Sequence, residues 1–250
     1  MLQINKSTKL NAQAILSQLM QRKQRTTVPR FKLPYTQEQV YTMLYASCCA
    51  EVSSRHRQFQ ATPSYTQHLT TIAHWLTDTA TPTFGLFLCG NRGNGKSTIV
   101  RALQSLLFWL RSTDDTPVDP QLAALCSYTP GFDIITAKEL VRLAKAYNNP
   151  TRDNRSDYDR YKRILNIEIL AIDDLGDEPS ESIHYGDYVT ASKDIISHRY
   201  NLQLATIATS NLAPDEIKGY YDERIADRFR EMMLIIDFGN EPSFLSLIHI

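Results

Sequence analysis

The octet GNRGNGKS at positions 90–97 limits what this chain can fold into more than any other feature. It fits G-x-x-x-x-G-K-[ST]. It follows the apolar run FGLFLCG (84–90) and opens the helix-forming run KSTIVRALQSLLFWLR (96–111). Strand, glycine loop and helix in that order make a cradle where backbone N–H groups and the positive end of a helix converge on a polyphosphate. Gly90, Gly93 and Gly95 let the chain wrap closely, with no side chain between backbone and ligand. Asn91, Arg92, Asn94 and Thr98 complete the binding segment. Lys96 has the reach for the β- and γ-phosphates, and the Ser97 hydroxyl can ligate Mg²⁺. A glycine turn without a ligand is the alternative, and the flanking strand and helix argue against it.

Such a loop needs a parallel sheet around it, and the rest of the chain supplies one. Apolar runs at 132–137, 166–174, 204–211 and 234–238 read as strands. Helical stretches at 138–147, 186–199 and 222–232 alternate with them. Alternation of this kind predicts an α/β fold with helices on both faces of a parallel sheet.

Three strand or helix ends carry further chemistry. ILAIDDLGDEP (169–179) ends an apolar strand in two adjacent carboxylates, which repel each other unless a cation lies nearby. Asp173 is the candidate magnesium ligand. Asp174 is the candidate group that orients or deprotonates the attacking water, and Glu178 is a substitute base. Two aspartates that simply cap a turn are the alternative. LATIATSN (204–211) ends in Ser210-Asn211, and Asn211 can sit beside a γ-phosphate or merely turn the chain before Pro214. In DERIADRFREM (222–232), Ile225, Phe229 and Met232 form a buried stripe. Arg224 and Arg228 share the neighbouring stripe at i, i+4, where like charges repel unless an anion is close. Arg228, ahead of Arg224, is the candidate arginine finger for the site of an adjacent subunit. Local neutralisation by Asp227 and Glu231 is the competing reading.

The first 60 residues differ from the rest. They hold nine Lys/Arg against Glu38 and Glu51, an excess of seven positive charges in a chain whose formal net charge is zero. A basic extension on an acidic body suits a polyanion or an acidic partner surface, or is a solvated tail. Residues 7–22 pattern as an amphipathic helix with Ser7 as N-cap. TTVPRFKLP (26–34) reads as a linker, a helical stretch runs from 36 to about 59, and another covers 64–78. Division near Pro63 gives a helical, basic, partner-binding region at 1–62 and an ATPase domain at 63–250. A further basic and aromatic stretch, Arg152 to Arg163 with Tyr158 and Tyr161, is a candidate DNA surface, although Asp153, Asp157 and Asp159 interrupt it.

Hydrophobic residues make up 42% and charged residues 22%, as in ordinary globular proteins. No run of 18 apolar residues predicts a membrane span, and the start lacks the apolar core of a secretory signal. A cytoplasmic protein without membrane contact is expected. Cys48, Cys49, Cys89 and Cys126 lack metal-ligand spacing and read as reduced thiols.

Taken in order, GNRGNGKST, ITAKELV, LAIDDLGDE, HRY, ATSN and ERIADRF resemble the DnaC/IstB group of AAA+ ATPases, over roughly residues 84–238. That group contains bacterial replicative helicase loaders and the ATPase helpers of one class of transposase. The resemblance implies a P-loop NTPase of AAA+ type with a five-stranded parallel sheet, its sensor-1 strand between the Walker A and Walker B strands. It implies ATP and Mg²⁺ as cofactors and a site shared between subunits of a homo-oligomer, and it fits the expectation, from how soon the chain ends after its last strand, of no C-terminal lid domain. It assigns Lys96 and Ser97 to Walker A, Asp173 and Asp174 to Walker B, Asn211 to sensor 1 and Arg228 to the finger. It also implies DNA, single-stranded above all, and a replicative helicase or a transposase as partners. The expected function is that of a loader-like accessory ATPase in DNA replication. An IstB-like helper and a nucleotide-dependent switch with little hydrolysis remain open. A small-molecule kinase is disfavoured, since no acceptor pocket is evident.

Overall fold

The computed structural model describes residues 11–24, 30–111, 131–178, 185–239 and 244. Five strands form one sheet: β1 (Gly85–Cys89), β2 (Phe132–Thr136), β3 (Ile169–Leu175), β4 (Ala205–Ser210) and β5 (Met233–Asp237). Their order is β2-β3-β4-β1-β5, and every pairing is parallel. The sheet thus places β4, which ends in Ser210, between the strands that end at the phosphate loop and at the paired aspartates. The helices are α1 (Ala12–Gln24), α2 (Gln37–Ser53), α3 (Pro63–Thr77), α4 (Lys96–Arg111), α5 (Ala137–Asn148), α6 (Arg155–Asn166), α7 (Tyr185–Asn201), α8 (Glu216–Tyr220) and α9 (Glu223–Met232).

Burial on both faces explains why β1 and β4 are buried at every position. Successive side chains of β1 then serve different cores. Leu86 and Leu88 pack with α2, α3 and α4, whereas Phe87 and Cys89 pack with α5, α7 and α9. From α4, Ile99, Leu103, Leu106 and Leu107 fill the first core, each burial worth about 1.5–3 kcal/mol.

The division at residue 62 is not a packing boundary. Val40, Leu44 and Cys48 of α2 are buried against α3 and α4 in the same core as Leu86 and Leu88. A capping box starts α2: Thr36 Oγ1 accepts from the Gln39 N–H at 3.2 Å, and Gln39 Oε1 accepts from the Thr36 N–H at 2.9 Å. The helix stops at Ser53, six residues short of the expected end, and His56 takes a positive φ of 58°. Residues 54–60 therefore leave the helix and are available to line a cavity. The helix expected at 7–22 begins, among the described residues, at Ala12. Asn11 Oδ1 accepts from the Gln13 N–H at 3.0 Å, while Ser7 lies outside the described residues. Every side chain described in α1 is exposed, Ile15, Leu16, Leu19 and Met20 included.

One buried arginine locks the β3–β4 side of the sheet. Arg199, the arginine of HRY, is fully buried on α7. It donates to Thr206 Oγ1 (2.9 Å) and to the carbonyls of Ile164 (3.1 Å), Ile167 (2.8 Å), Glu168 (3.4 Å) and Ala205 (2.6 Å). Burial lowers its pKa to about 9. Those five acceptors satisfy a guanidinium that would otherwise be costly to bury. Cys48 and Cys89 are buried thiols whose pKa burial raises to about 12, so they stay protonated. No helix among the described residues is long and apolar enough to cross a membrane.

Candidate nucleotide-binding site

The phosphate loop runs from the end of β1 into the first turn of α4. Gly90, Gly93 and Gly95 all have positive φ, at 115°, 86° and 84°. Two of them also lack room for a side chain. A Cβ on Gly90 would meet the Gly239 nitrogen at 2.9 Å, and one on Gly95 would meet Tyr65 at 2.8 Å. Conformation and space both demand glycine here. Lys96 is buried, and its ammonium donates to the carbonyls of Gly90 (2.7 Å) and Asn91 (2.6 Å). Asn211 Oδ1 lies 3.5 Å from it. An ammonium has three donors and each has an acceptor here, the Asn211 bond being the longest, so a phosphate would take the place of that weakest partner. Burial lowers the Lys96 pKa, and Asp174 and Asp173 act against that shift.

The paired aspartates sit where the β3–β4 register breaks, between Ile172 and Leu175. Asp173 stays buried. Its Oδ1 accepts from Ser97 Oγ at 2.8 Å and from Thr209 Oγ1 at 2.5 Å. Asp174 takes a left-handed φ of 57°, and its N–H donates to Thr209 Oγ1 at 2.9 Å. The irregularity turns the Asp174 side chain out to line the cavity while Asp173 faces Ser97. Burial, then the neighbouring Asp173 and Asp177, raise the Asp174 pKa. A hydroxyl and a carboxylate in direct contact are hard oxygen donors that fit magnesium, which keeps most of its waters and takes few protein ligands. Sequence reasoning missed Thr209. Its signal is a hydroxyl one residue before Ser210 in an otherwise buried strand.

Two expectations for catalytic groups change. Glu178 is turned away from the cavity and buried: Oε1 accepts from Ser192 Oγ (2.6 Å) and Tyr221 OH (2.7 Å), and Oε2 accepts from Tyr220 OH (3.2 Å). It is no substitute base. Arg228 is also buried. It hydrogen-bonds Ser197 Oγ and lies 5.2 Å from the centre of the Tyr200 ring, so α9 and α7 hold it inside one chain. Arg224 is the exposed member of the pair. The acids expected to neutralise both are used elsewhere, Asp227 by Arg230 (2.5 Å) and Glu231 by Tyr200 OH (2.5 Å).

The phosphate loop, Asp174 and Asn211 open onto a cavity of about 780 Å³ whose far wall no motif announced. Arg55, Arg57, Gln58, Phe59 and Gln60 line it from the turn after α2, with Tyr65 from α3 and Phe244 from beyond β5. Phe59 and Phe244 stand edge-on to Tyr65, with centroids 5.5 and 5.7 Å away. The Tyr65 hydroxyl lies 3.4 Å from the Gly95 carbonyl, and the Phe244 N–H donates to the Gly93 carbonyl at 3.1 Å. At the rim, Arg92 (3.6 Å) and Lys138 (3.0 Å) reach Asp177. The cavity therefore has the glycine loop on one side and aromatic faces and side-chain amides on the other.

The candidate DNA stretch is largely self-neutralised. Arg155 pairs with Asp159 (3.2 Å), Arg160 with Glu139 and Arg163 with Asp133. Tyr158 stacks on Tyr147 at 5.2 Å and Tyr161 is buried, so neither ring stands open to a base.

An α/β sheet of this order, with a phosphate loop after β1, paired aspartates at the end of β3 and a polar end to β4 between them, has the fold of AAA+ P-loop domains. Its fold is the DnaC-like form of that class. The chain matches the DnaC helicase loader over 72% of its length and 92% of the other chain (TM-score 0.51, 19% identity). It matches DnaI over 77% and 93% (TM-score 0.51, 19% identity), and a DNA replication initiation factor over 71% and 47% (TM-score 0.50, 12% identity). No protein-family profile and no curated protein matches the sequence.

Proposed function

We propose that this protein is an ATPase of DNA replication, similar in action to a helicase loader, that binds ATP with magnesium and hydrolyses it. The observation that carries the reading is the meeting of Lys96, Ser97, Asp174 and Asn211 on a single cavity, with Asp173 bonded to Ser97 behind them. Loop N–H groups and the Lys96 ammonium hold the β- and γ-phosphates. Asn211 and Asp174 flank the place where an attacking water would stand. Asp174 would take the proton. Ser97 and Asp173 would hold magnesium, which neutralises phosphate charge in the transition state. The base lies toward Phe59 and Phe244.

Hydrolysis of this kind draws on an arginine from a neighbouring subunit of a homo-oligomer. Arg224 is exposed and suits that role. Arg228 serves it only after leaving Ser197. The exposed Ile15, Leu16, Leu19 and Met20 of α1, next to Arg22 and Lys23, suit docking into an apolar groove with acidic edges on a partner, a replicative helicase or a transposase. Single-stranded DNA is the expected nucleic-acid ligand. The cytoplasm is the expected compartment.

A second reading has one observation in its favour. Asp174 sits in strained left-handed backbone and Glu178 is withdrawn, so a switch that binds ATP and turns over slowly fits the same site. The test is ATP turnover per subunit against protein concentration, with and without single-stranded DNA, for wild type, Arg224→Ala and Arg228→Ala. Turnover that rises with concentration, and that one arginine variant abolishes while ATP still binds, supports the shared site. Flat, slow turnover indifferent to both variants leaves the switch.

A further inference from the structure

Glu178 poses a problem that hydrolysis at the cavity does not solve. Glu178 is 5% exposed, and among the described residues it makes no ion pair; three hydroxyls hold it. A buried carboxylate without a counter-ion is costly, and the geometry of its bonds makes its position informative. The three donors come from two elements outside the Walker B turn. Ser192 is on α7. Tyr220 ends α8, and Tyr221 caps it. The residue after Tyr221 is Asp222, whose carboxylate caps α9 by accepting from the Ile225 N–H at 2.8 Å.

On its other side, Glu178 follows directly on the turn that carries the acidic groups. The Asp177 N–H donates to the Asp174 carbonyl at 3.0 Å, and Gly176 has a φ of 93°. A Cβ on Gly176 would stand 2.6 Å from Leu212 Cδ1, and Ser210 Oγ donates to the Leu175 carbonyl at 2.5 Å. The turn is thus wedged against the residues around Asn211. Within it, Asp174 and Asp177 line the cavity while Glu178 faces inward. One short rigid segment has its acids on the phosphates' side and its anchor on the start of the arginine helix.

We propose that Glu178 is a positioning residue: it ties the Asp174–Asp177 turn to the Tyr220–Asp222 junction, so that occupation of the phosphate site resets the start of α9. The carboxylate works as an acceptor of hydrogen bonds and not as a charge. Glutamine can keep the two bonds at Oε1 and donate from its amide to Tyr220. Leucine fills similar space and keeps none. The hydroxyl of Tyr221, buried by the same contacts, has its pKa pushed up first by burial and then by Glu178.

This inference rests on the ATP reading above. It is tested by hydrogen exchange over residues 216–232, with and without ATP and magnesium, together with ATP Kd and kcat. The variants are Glu178→Leu, Glu178→Gln and Tyr221→Phe. Wild type and Glu178→Gln should change protection over 216–232 when nucleotide binds. Glu178→Leu should bind ATP within about twofold of wild type, lose that response, and lose about tenfold or more in kcat. If the leucine variant does not fold, Tyr221→Phe, which removes one hydroxyl of three, carries the same expectation at smaller amplitude. A nucleotide response in Glu178→Leu or Tyr221→Phe equal to wild type overturns the coupling. So does a loss of response in Glu178→Gln equal to that in leucine. Failure of wild type to bind ATP overturns the reading beneath it as well, and an ATP Kd measured first separates the two failures.

Discussion

The two ends of the cavity are built on different principles. At the phosphate end, eight consecutive residues supply the loop, and Asp173, Thr209 and Asn211 come from the ends of adjacent strands. At the end proposed for the base, Phe59, Tyr65 and Phe244 lie in three separate segments and meet only through packing. A phosphate is recognised by backbone N–H groups whose placement needs a fixed local sequence. A base is recognised by flat apolar faces that any aromatic can supply, from anywhere in the chain. Phosphate recognition therefore leaves a motif, and base recognition does not.

Three measurements sharpen that contrast. The largest effect on ATP affinity is expected for Lys96→Ala, which removes the ammonium poised between the Gly90 and Asn91 carbonyls and Asn211. Losing a charge-assisted bond to phosphate costs about 1.5–3 kcal/mol, so ATP affinity should fall about 10- to 150-fold, read by calorimetry. Retained affinity would mean that the base end dominates binding.

Next is Asp174→Asn, which should lower kcat about 100-fold or more while leaving ATP affinity near wild type. The pH profile gives the sign. Asp174 acts as a base only when ionised, so activity is lost as pH falls through its pKa. That pKa is raised by burial and by Asp173 and Asp177. The acid limb of wild-type kcat/KM should therefore lie above the ordinary carboxylate range. A limb at the ordinary value, or one that survives in Asp174→Asn, assigns the base elsewhere.

The smallest effect should come from Phe59→Ala and Phe244→Ala. An aromatic contact is worth about 0.5–1.5 kcal/mol, a few-fold to about tenfold in ATP affinity. Binding of inorganic triphosphate, which has no base, should not change. An equal loss for triphosphate would show that these rings support the loop through Tyr65 and do not touch the base.

Much of the fold was legible because its signals are local. Apolar runs of strand length, a glycine loop and periodic helices predict a parallel α/β sheet, and five parallel strands are present. The helix 96–111 is found at those bounds. Prolines mark where a chain turns, not where its packing ends. Val40 and Leu44 of α2 lie in the main core. The arginine pair shows the same limit in the site. Spacing i, i+4 puts Arg224 and Arg228 on one side of α9, and only the position of α7, with Ser197 and Tyr200, decides that Arg228 is buried and Arg224 is not.

By itself the sequence determined the phosphate loop, the strand carrying the paired aspartates and the alternation of elements around them. Each depends on backbone geometry that neighbouring residues dictate. Tertiary structure alone decided that Glu178 faces inward, that Thr209 completes the contact between Ser97 and Asp173, and that three distant aromatics close the cavity. Those outcomes depend on which elements the sheet order makes neighbours, and contacts between distant segments are set by packing that no single stretch of chain encodes.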